Sequence, residues 1–147
     1  MRRGRAPLGR SAPLGRSWAA LIMLAAGPAA GQTLGPFAVT NVSEALVRAY
    51  NRDDVTALHD MLAPGLRARY SPDELAAVLT RCRVLTRDIL RLSTTTGGAR
   101  HYGFLAVYAE TGPFEMGLEI DGAEKIRHWV ITDDVTAPDQ PCRLSGP

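Results

Sequence analysis

The hydrophobic pattern of this chain changes period once, and the change falls at Arg87. Before that residue, apolar side chains recur at the i, i+3, i+4 spacing of helices. After it they alternate every second residue, and β-branched and aromatic residues become frequent, as in strands. A chain whose helical segments all precede its strands is expected to gather its helices on one side of an antiparallel sheet. The predicted fold class is therefore α+β.

The first helix is predicted over Thr40–Asn51, with Val42, Ala45, Leu46, Ala49 and Tyr50 on one face. Asp54 supplies a cap for a second, shorter helix lined by Val55, Leu58, His59 and Leu62, and Ala63-Pro64-Gly65 ends it. Ser71-Pro72-Asp73-Glu74 carries the strongest local signal: a cap serine, proline at the first helical position, and a glutamate placed to bond back to the cap amide. A third helix is expected from Pro72 to Val84, its stripe formed by Leu75, Val78, Leu79, Cys82 and Leu85.

Strands are expected at Asp88–Thr95, Arg100–Glu110, Phe114–Asp121 and Lys125–Thr132. Gly97-Gly98, Thr111-Gly112-Pro113 and Asp121-Gly122 separate them, each with the glycine that hairpin turns favour. Phe114, Met116, Leu118 and Ile120 alternate with Glu115, Gly117, Glu119 and Asp121, which marks the first set as core. Residues 134–147, holding Pro138, Pro141 and Pro147, read as a tail.

The amino terminus has a different logic. Arg2, Arg3, Arg5, Arg10 and Arg16 precede an apolar run Trp18–Ala30, which ends in Ala29-Ala30-Gly31. This three-part pattern predicts a signal peptide over residues 1–31, cleaved near Gly31, and delivery to the periplasm or beyond the cell. The apolar run is too short for the roughly 20 residues that span a bilayer. Setting aside those five arginines leaves 12 basic against 15 acidic residues, a net charge of −3. With its cations scattered, the remainder lacks the basic face of a nucleic-acid binder, and nucleic acid is excluded as a partner. Residues 32–40 then form a linker and 41–133 a single domain.

Cys82 and Cys142 are the only cysteines. In an exported chain an even count favours a disulfide, here joining the third helix to the carboxyl-terminal segment. The alternative is a buried thiol at Cys82 and a free one at Cys142.

Three helices followed by a curved antiparallel sheet resemble the NTF2-like superfamily, in which helices and sheet form a cone around a pocket. The segment Ala45-Leu46-Val47-Arg48-Ala49-Tyr50-Asn51 and the later Met61-Leu62-Ala63-Pro64 look like its opening. Ser71-Pro72-Asp73-Glu74-Leu75, the strand Tyr102–Tyr108, and Leu118-Glu119-Ile120-Asp121 leading to Lys125-Ile126 resemble the secreted variety known as domain-of-unknown-function 3887. The resemblance covers about residues 41–133. It departs from the pattern after the third helix, where a glycine is usual and Val84-Leu85-Thr86-Arg87-Asp88 stands instead. What it implies is a pocket but no single activity, since the superfamily includes isomerases, dehydratases and many non-catalytic domains.

Catalytic members place a carboxylate or a His–Asp pair in the pocket, which directs attention to His59, His101, His128, Glu115, Glu119 and Asp121. His128 alternates with Ile126 and Val130, so it is expected to point with apolar neighbours into the interior. There it would be either a base or a hydrogen-bonded core histidine. Glu115, Glu119 and Asp121 are expected to form a solvated face paired with Lys125 and Arg127. Tyr102, Phe104, Ala106 and Tyr108 share one face and are expected to line a pocket with Phe114 or Trp129, or to serve as plain core. There is no G-x-S-x-G, phosphate-binding glycine loop, H-E-x-x-H or metal-ligand spacing, and no metal or cofactor is predicted.

The leading expectation is an exported, non-enzymatic domain binding a small or extended ligand or an envelope protein, or pairing with itself through the sheet. The rival is a small lyase or isomerase with His128 as base and Tyr102 or Tyr108 as hydrogen-bond donor.

Overall fold

A computed structural model of the chain describes residues 34–93 and 100–146. The predicted signal peptide, the start of the linker, the end of the first predicted strand and Gly97-Gly98 lie outside the described residues.

Four helices precede five strands: α1 (Ala38–Asn51), α2 (Val55–Met61), α3 (Pro64–Arg69), α4 (Pro72–Thr86), β1 (Ile89–Leu92), β2 (Tyr102–Ala109), β3 (Gly112–Ile120), β4 (Ile126–Thr132) and β5 (Cys142–Ser145). The strands form one antiparallel sheet in sequence order, with β1 and β5 as its edges, so the sheet is not closed. The α+β class read from the sequence is correct. Among the described residues no helix is long and apolar enough to cross a membrane.

Three of the four helices begin for a local reason. The Asp54 carboxylate accepts from Ala57 N at 2.9 Å at the start of α2. At α4 the capping box is complete: Glu74 N donates to Ser71 Oγ, and the Glu74 carboxylate accepts from Ser71 N. Pro64 does more than end α2. Lacking an amide hydrogen, it occupies the first position of α3, a helix absent from the sequence reading. The α4 helix runs on to Thr86 and stops at Arg87, which adopts φ 54°, ψ −134°. That backbone region suits glycine and strains any other residue. It falls in the segment where the resemblance leads one to look for a glycine.

The core lies between the helices and one face of the sheet. Leu46 and Tyr50 of α1 and Leu75, Leu79 and Cys82 of α4 are buried with Val107, Met116, Leu118, Trp129, Ile131 and Leu144 of the strands. Phe114, Met116, Leu118 and Ile120 are all buried, as their alternation requires. Tyr50 meets Trp129 edge-on, ring centroids 6.0 Å apart. Its hydroxyl shares a 2.8 Å hydrogen bond with Thr86 Oγ1, and burial pushes the phenol's pKa up.

Arg83 fastens the ends of α1 and α4 to the sheet. Its guanidinium donates to Tyr50 O at 2.9 Å and contacts Asp88 at 2.9 Å and Asp53 at 3.1 Å. The Asn51 side chain bonds both the amide and the carbonyl of Ile89, as a neighbouring strand would.

Residues 134–147 are not simply a tail. Cys142 and Leu144 point inward, fully and almost fully buried, and β5 pairs with β4 in the register Trp129↔Leu144 and Ile131↔Cys142. The Cys82–Cys142 disulfide ties this edge strand to α4. A four-residue strand between prolines offers too short an alternation to be recognised, but two inward apolar side chains suffice to dock it.

Candidate functional site

The helix-facing side of the sheet is filled, so the chemistry-bearing side chains collect on the other, outer face. A β-bulge decides which residues reach it. Glu119 pairs with His128 and Ile120 with Ile126, leaving Arg127 as an extra residue in β4. Ile126 and Trp129 are consequently buried, while Arg127 and His128 both face outward. This corrects the expectation that His128 enters the interior beside Ile126. The extra residue shifts the parity of the strand, so His128 shares a face with Val130 but not with Ile126.

Strand register then sets rows across the outer face. One row reads Tyr102, Glu119, His128, Ser145, and the next reads Phe104, Gly117, Val130, Arg143. Neighbours in a row have Cβ atoms roughly 5 Å apart. Gly117 has a specific reason to lack a side chain: a Cβ there would lie 3.1 Å from Tyr102 Oη and 3.2 Å from Val130 Cγ1. Tyr102 thus folds across the glycine, and its ring meets Phe104 edge-on with centroids 4.8 Å apart. Burial, helped by the charge of Glu119, pushes the Tyr102 phenol pKa up. At the far end of β2, Arg91 stacks its guanidinium 3.9 Å from the centre of the Tyr108 ring.

Tyr102, Phe104, Ala106 and Tyr108 do share a face, as their alternation predicts. It is the outer one, where Phe104 and Tyr108 remain 49% and 39% exposed. Phe114 and Trp129 lie on the opposite face at 9% and 1% exposure, packed in the core. The five aromatic residues expected to line one pocket are therefore divided between the two sides of the sheet. The odd–even phase of β3 and β4 relative to β2 determines this separation.

At one end of the outer face a cleft of about 570 Å³ opens between the strands and the α2–α3 junction. Its walls include Pro64, Glu119, Arg127, His128, Arg143 and Ser145. The junction is held in place by Ala63 N donating to Ile126 O at 2.8 Å and by Lys125 Nζ donating to Asp60 O at 2.8 Å. Half-burial is the main cause that lowers the His128 pKa, and the charge of Arg143 adds to it while Glu119 opposes. This shift favours the neutral imidazole. Glu119 and Arg127 form the expected cross-strand ion pair at 3.7 Å. Asp121 also borders the cleft, but its carboxylate is engaged by its own turn, accepting from Ala123 N at 2.8 Å and Lys125 N at 2.9 Å.

The remaining sequence candidates have local roles. His59 shares a 3.1 Å hydrogen bond between its Nε2 and the Tyr70 carbonyl, which ties α2 to the end of α3. His101 and Glu115 are exposed. Arg143 and Ser145 are not among the sequence candidates, since they lie in the segment that reads as a tail. The available signal was the alternation of Cys142 and Leu144 with Arg143 and Ser145. No family model, curated protein or solved structure matches the chain.

Proposed function

We propose that this chain is an exported, non-enzymatic domain of NTF2-like type that binds through the outer face of its sheet rather than through a pocket beneath its helices. The carrying observation is the contrast between the two faces. Trp129, Met116 and Leu118 fill the helix-facing side, whereas Phe104, Tyr108 and Leu90 present apolar surface to solvent, with Leu90 at 68% exposure. Aromatic side chains flanked by arginine are the composition of protein-binding surfaces. The occupant is an envelope protein or a second copy of the chain. The Cys82–Cys142 bridge supports export, because disulfides persist in oxidising compartments.

Sedimentation velocity on the chain beginning at Gln32 tests this reading, comparing the wild type with a Phe104→Ser/Tyr108→Ser variant. Concentration-dependent association is expected in the wild type and its loss in the variant, with the melting temperature of the dilute protein little changed. A variant that associates as the wild type does would remove the outer face from the account.

The lyase or isomerase reading rests on one observation, the row that sets His128 between Glu119 and Ser145 with Tyr102 at its end. Tyr108 lies at the other end of β2 and is no partner for it. This reading predicts His128-dependent exchange of solvent deuterium into small ketones, followed by proton NMR.

A further inference from the structure

We propose that the cleft at the α2–α3 end of the sheet is a binding site for the carboxylate of a small α-hydroxy or α-amino acid, held by Arg143, His128 and Ser145 with Glu119 receiving the adjacent hydroxyl or ammonium group. The site is separate from the aromatic patch around Phe104 and Tyr108, so the two readings stand or fall independently.

The argument begins with which polar groups are already engaged. Glu119 and Arg127 neutralise each other across the strands, and Asp121 is satisfied by two amides of its turn. Arg143, His128 and Ser145 make no hydrogen bond or ion pair with their side chains among the described residues. Among the described residues Arg143 is therefore the one cation of the cleft without an ion-pair partner, and it suits a ligand of single negative charge. The imidazole of His128, half-buried beside Arg143 and so biased toward its neutral form, adds a hydrogen-bond donor. Two acidic side chains on the rim disfavour a dianion such as phosphate.

Geometry narrows the ligand further. Ser145 lies beside His128 in the strand register, and Arg143 is diagonal to it across β4 and β5, so the donors converge at one end of the row. Glu119 lies on the other side of His128, one strand away. Strands about 5 Å apart leave room for one small molecule to be held by side chains of β4 and β5 at one end and by Glu119 of β3 at the other. A guanidinium takes a carboxylate in a two-pronged arrangement, and the spare acceptor capacity of Glu119 takes the donor. At about 570 Å³ the cleft admits such a molecule and lies in the range usual for small-ligand sites.

The test uses the isotopically labelled chain beginning at Gln32 and follows the His128 ring nitrogens by NMR during titration with sodium lactate. Sodium propionate and sodium phosphate serve as comparisons at matched ionic strength. A saturable His128 shift with lactate is expected, weaker with propionate, which lacks the hydroxyl. Removing a charge-assisted contact weakens binding by about tenfold or more, so Arg143→Ala should lose that affinity while its unchanged Trp129 emission reports an intact fold. Absence of saturation, or equal lactate affinity in Arg143→Ala, would overturn the site. Tighter binding of phosphate than lactate would overturn the carboxylate assignment.

Discussion

Breaking the Cys82–Cys142 bridge should destabilise the domain severely and release β5 first. Both sulfurs are completely buried, one on α4 and one on the edge strand, and 60 residues separate them. In the chain-entropy model, closing a loop of that length contributes about 4 kcal/mol at 25 °C by restricting the unfolded state. Small domains are stable by only about 5–15 kcal/mol, so the bridge supplies a large share. At about 4 °C or more per kcal/mol for a domain near this size, the melting temperature should fall by roughly 15 °C. The assay is guanidinium unfolding of the chain beginning at Gln32, with and without a phosphine reductant, followed through Trp129, its only tryptophan. Reduction should also raise the denaturant dependence, because the uncrosslinked chain exposes more surface when unfolded. A Cys82→Ala/Cys142→Ala variant should behave as the reduced protein does, with a small added cost for the lost sulfur packing. A loss below about 1 kcal/mol in both experiments would refute the reasoning, since the entropy of a loop this long cannot be that small. The consequence reaches function because β5 carries Arg143 and Ser145, so reduction should abolish lactate binding at temperatures where the rest of the core still holds.

Three further outcomes are expected. Arg87→Gly should stabilise the protein by about 1 kcal/mol in denaturant unfolding, because a side chain in that backbone region costs on the order of 1–3 kcal/mol and glycine returns roughly 0.5–1 kcal/mol as unfolded-chain entropy. Trp129→Ala should cost about 3–5 kcal/mol by circular dichroism, the value for a large aromatic side chain removed from a closed core, whereas Phe104→Ala should cost less than about 1 kcal/mol. The lowered pKa of His128 means that, between that value and the ordinary 6.5, the unfolded chain binds more protons than the folded one, so stability rises with pH across that window and levels off above it. His128→Asn should flatten this slope in unfolding curves measured from acid to neutral pH.

The sequence was legible where a pattern ran long enough to repeat. The α1 and α4 helices carry several turns of apolar stripe, the capping box at Ser71 fixes where α4 begins, and β3 alternates through four inward residues. Short elements were not legible. The six residues of α3 bury only Leu66, and the four of β5 bury only Cys142 and Leu144, too few for either period to show. Two cysteines admit a single pairing, so the partner was legible from the count, whereas the bridge itself rested on the expectation of export and stood beside a free-thiol alternative.

The site was harder to read for a reason of parity. A strand's two faces are distinguished only by odd and even position, so one extra residue at Arg127 moved His128 from the expected interior to the outer face. The same sensitivity divided Tyr102, Phe104 and Tyr108 from Phe114 and Trp129, which no single-strand pattern relates to each other. Arg143 belongs to the cleft because the edge strand pairs with β4, and that strand is tied to a disulfide partner 60 residues away. Such non-local placement is invisible to local periodicity.

The central claim, that the outer face is the working surface, is tested most directly by amide chemical shifts of the labelled chain recorded from dilute to concentrated solution and then with envelope extract added. The account predicts shifts concentrated at Arg91, Phe104, Tyr108 and Val130, with the indole signal of Trp129 unmoved. Shifts centred on Trp129, Leu118 and Leu46 would place the binding surface beneath the helices and contradict it.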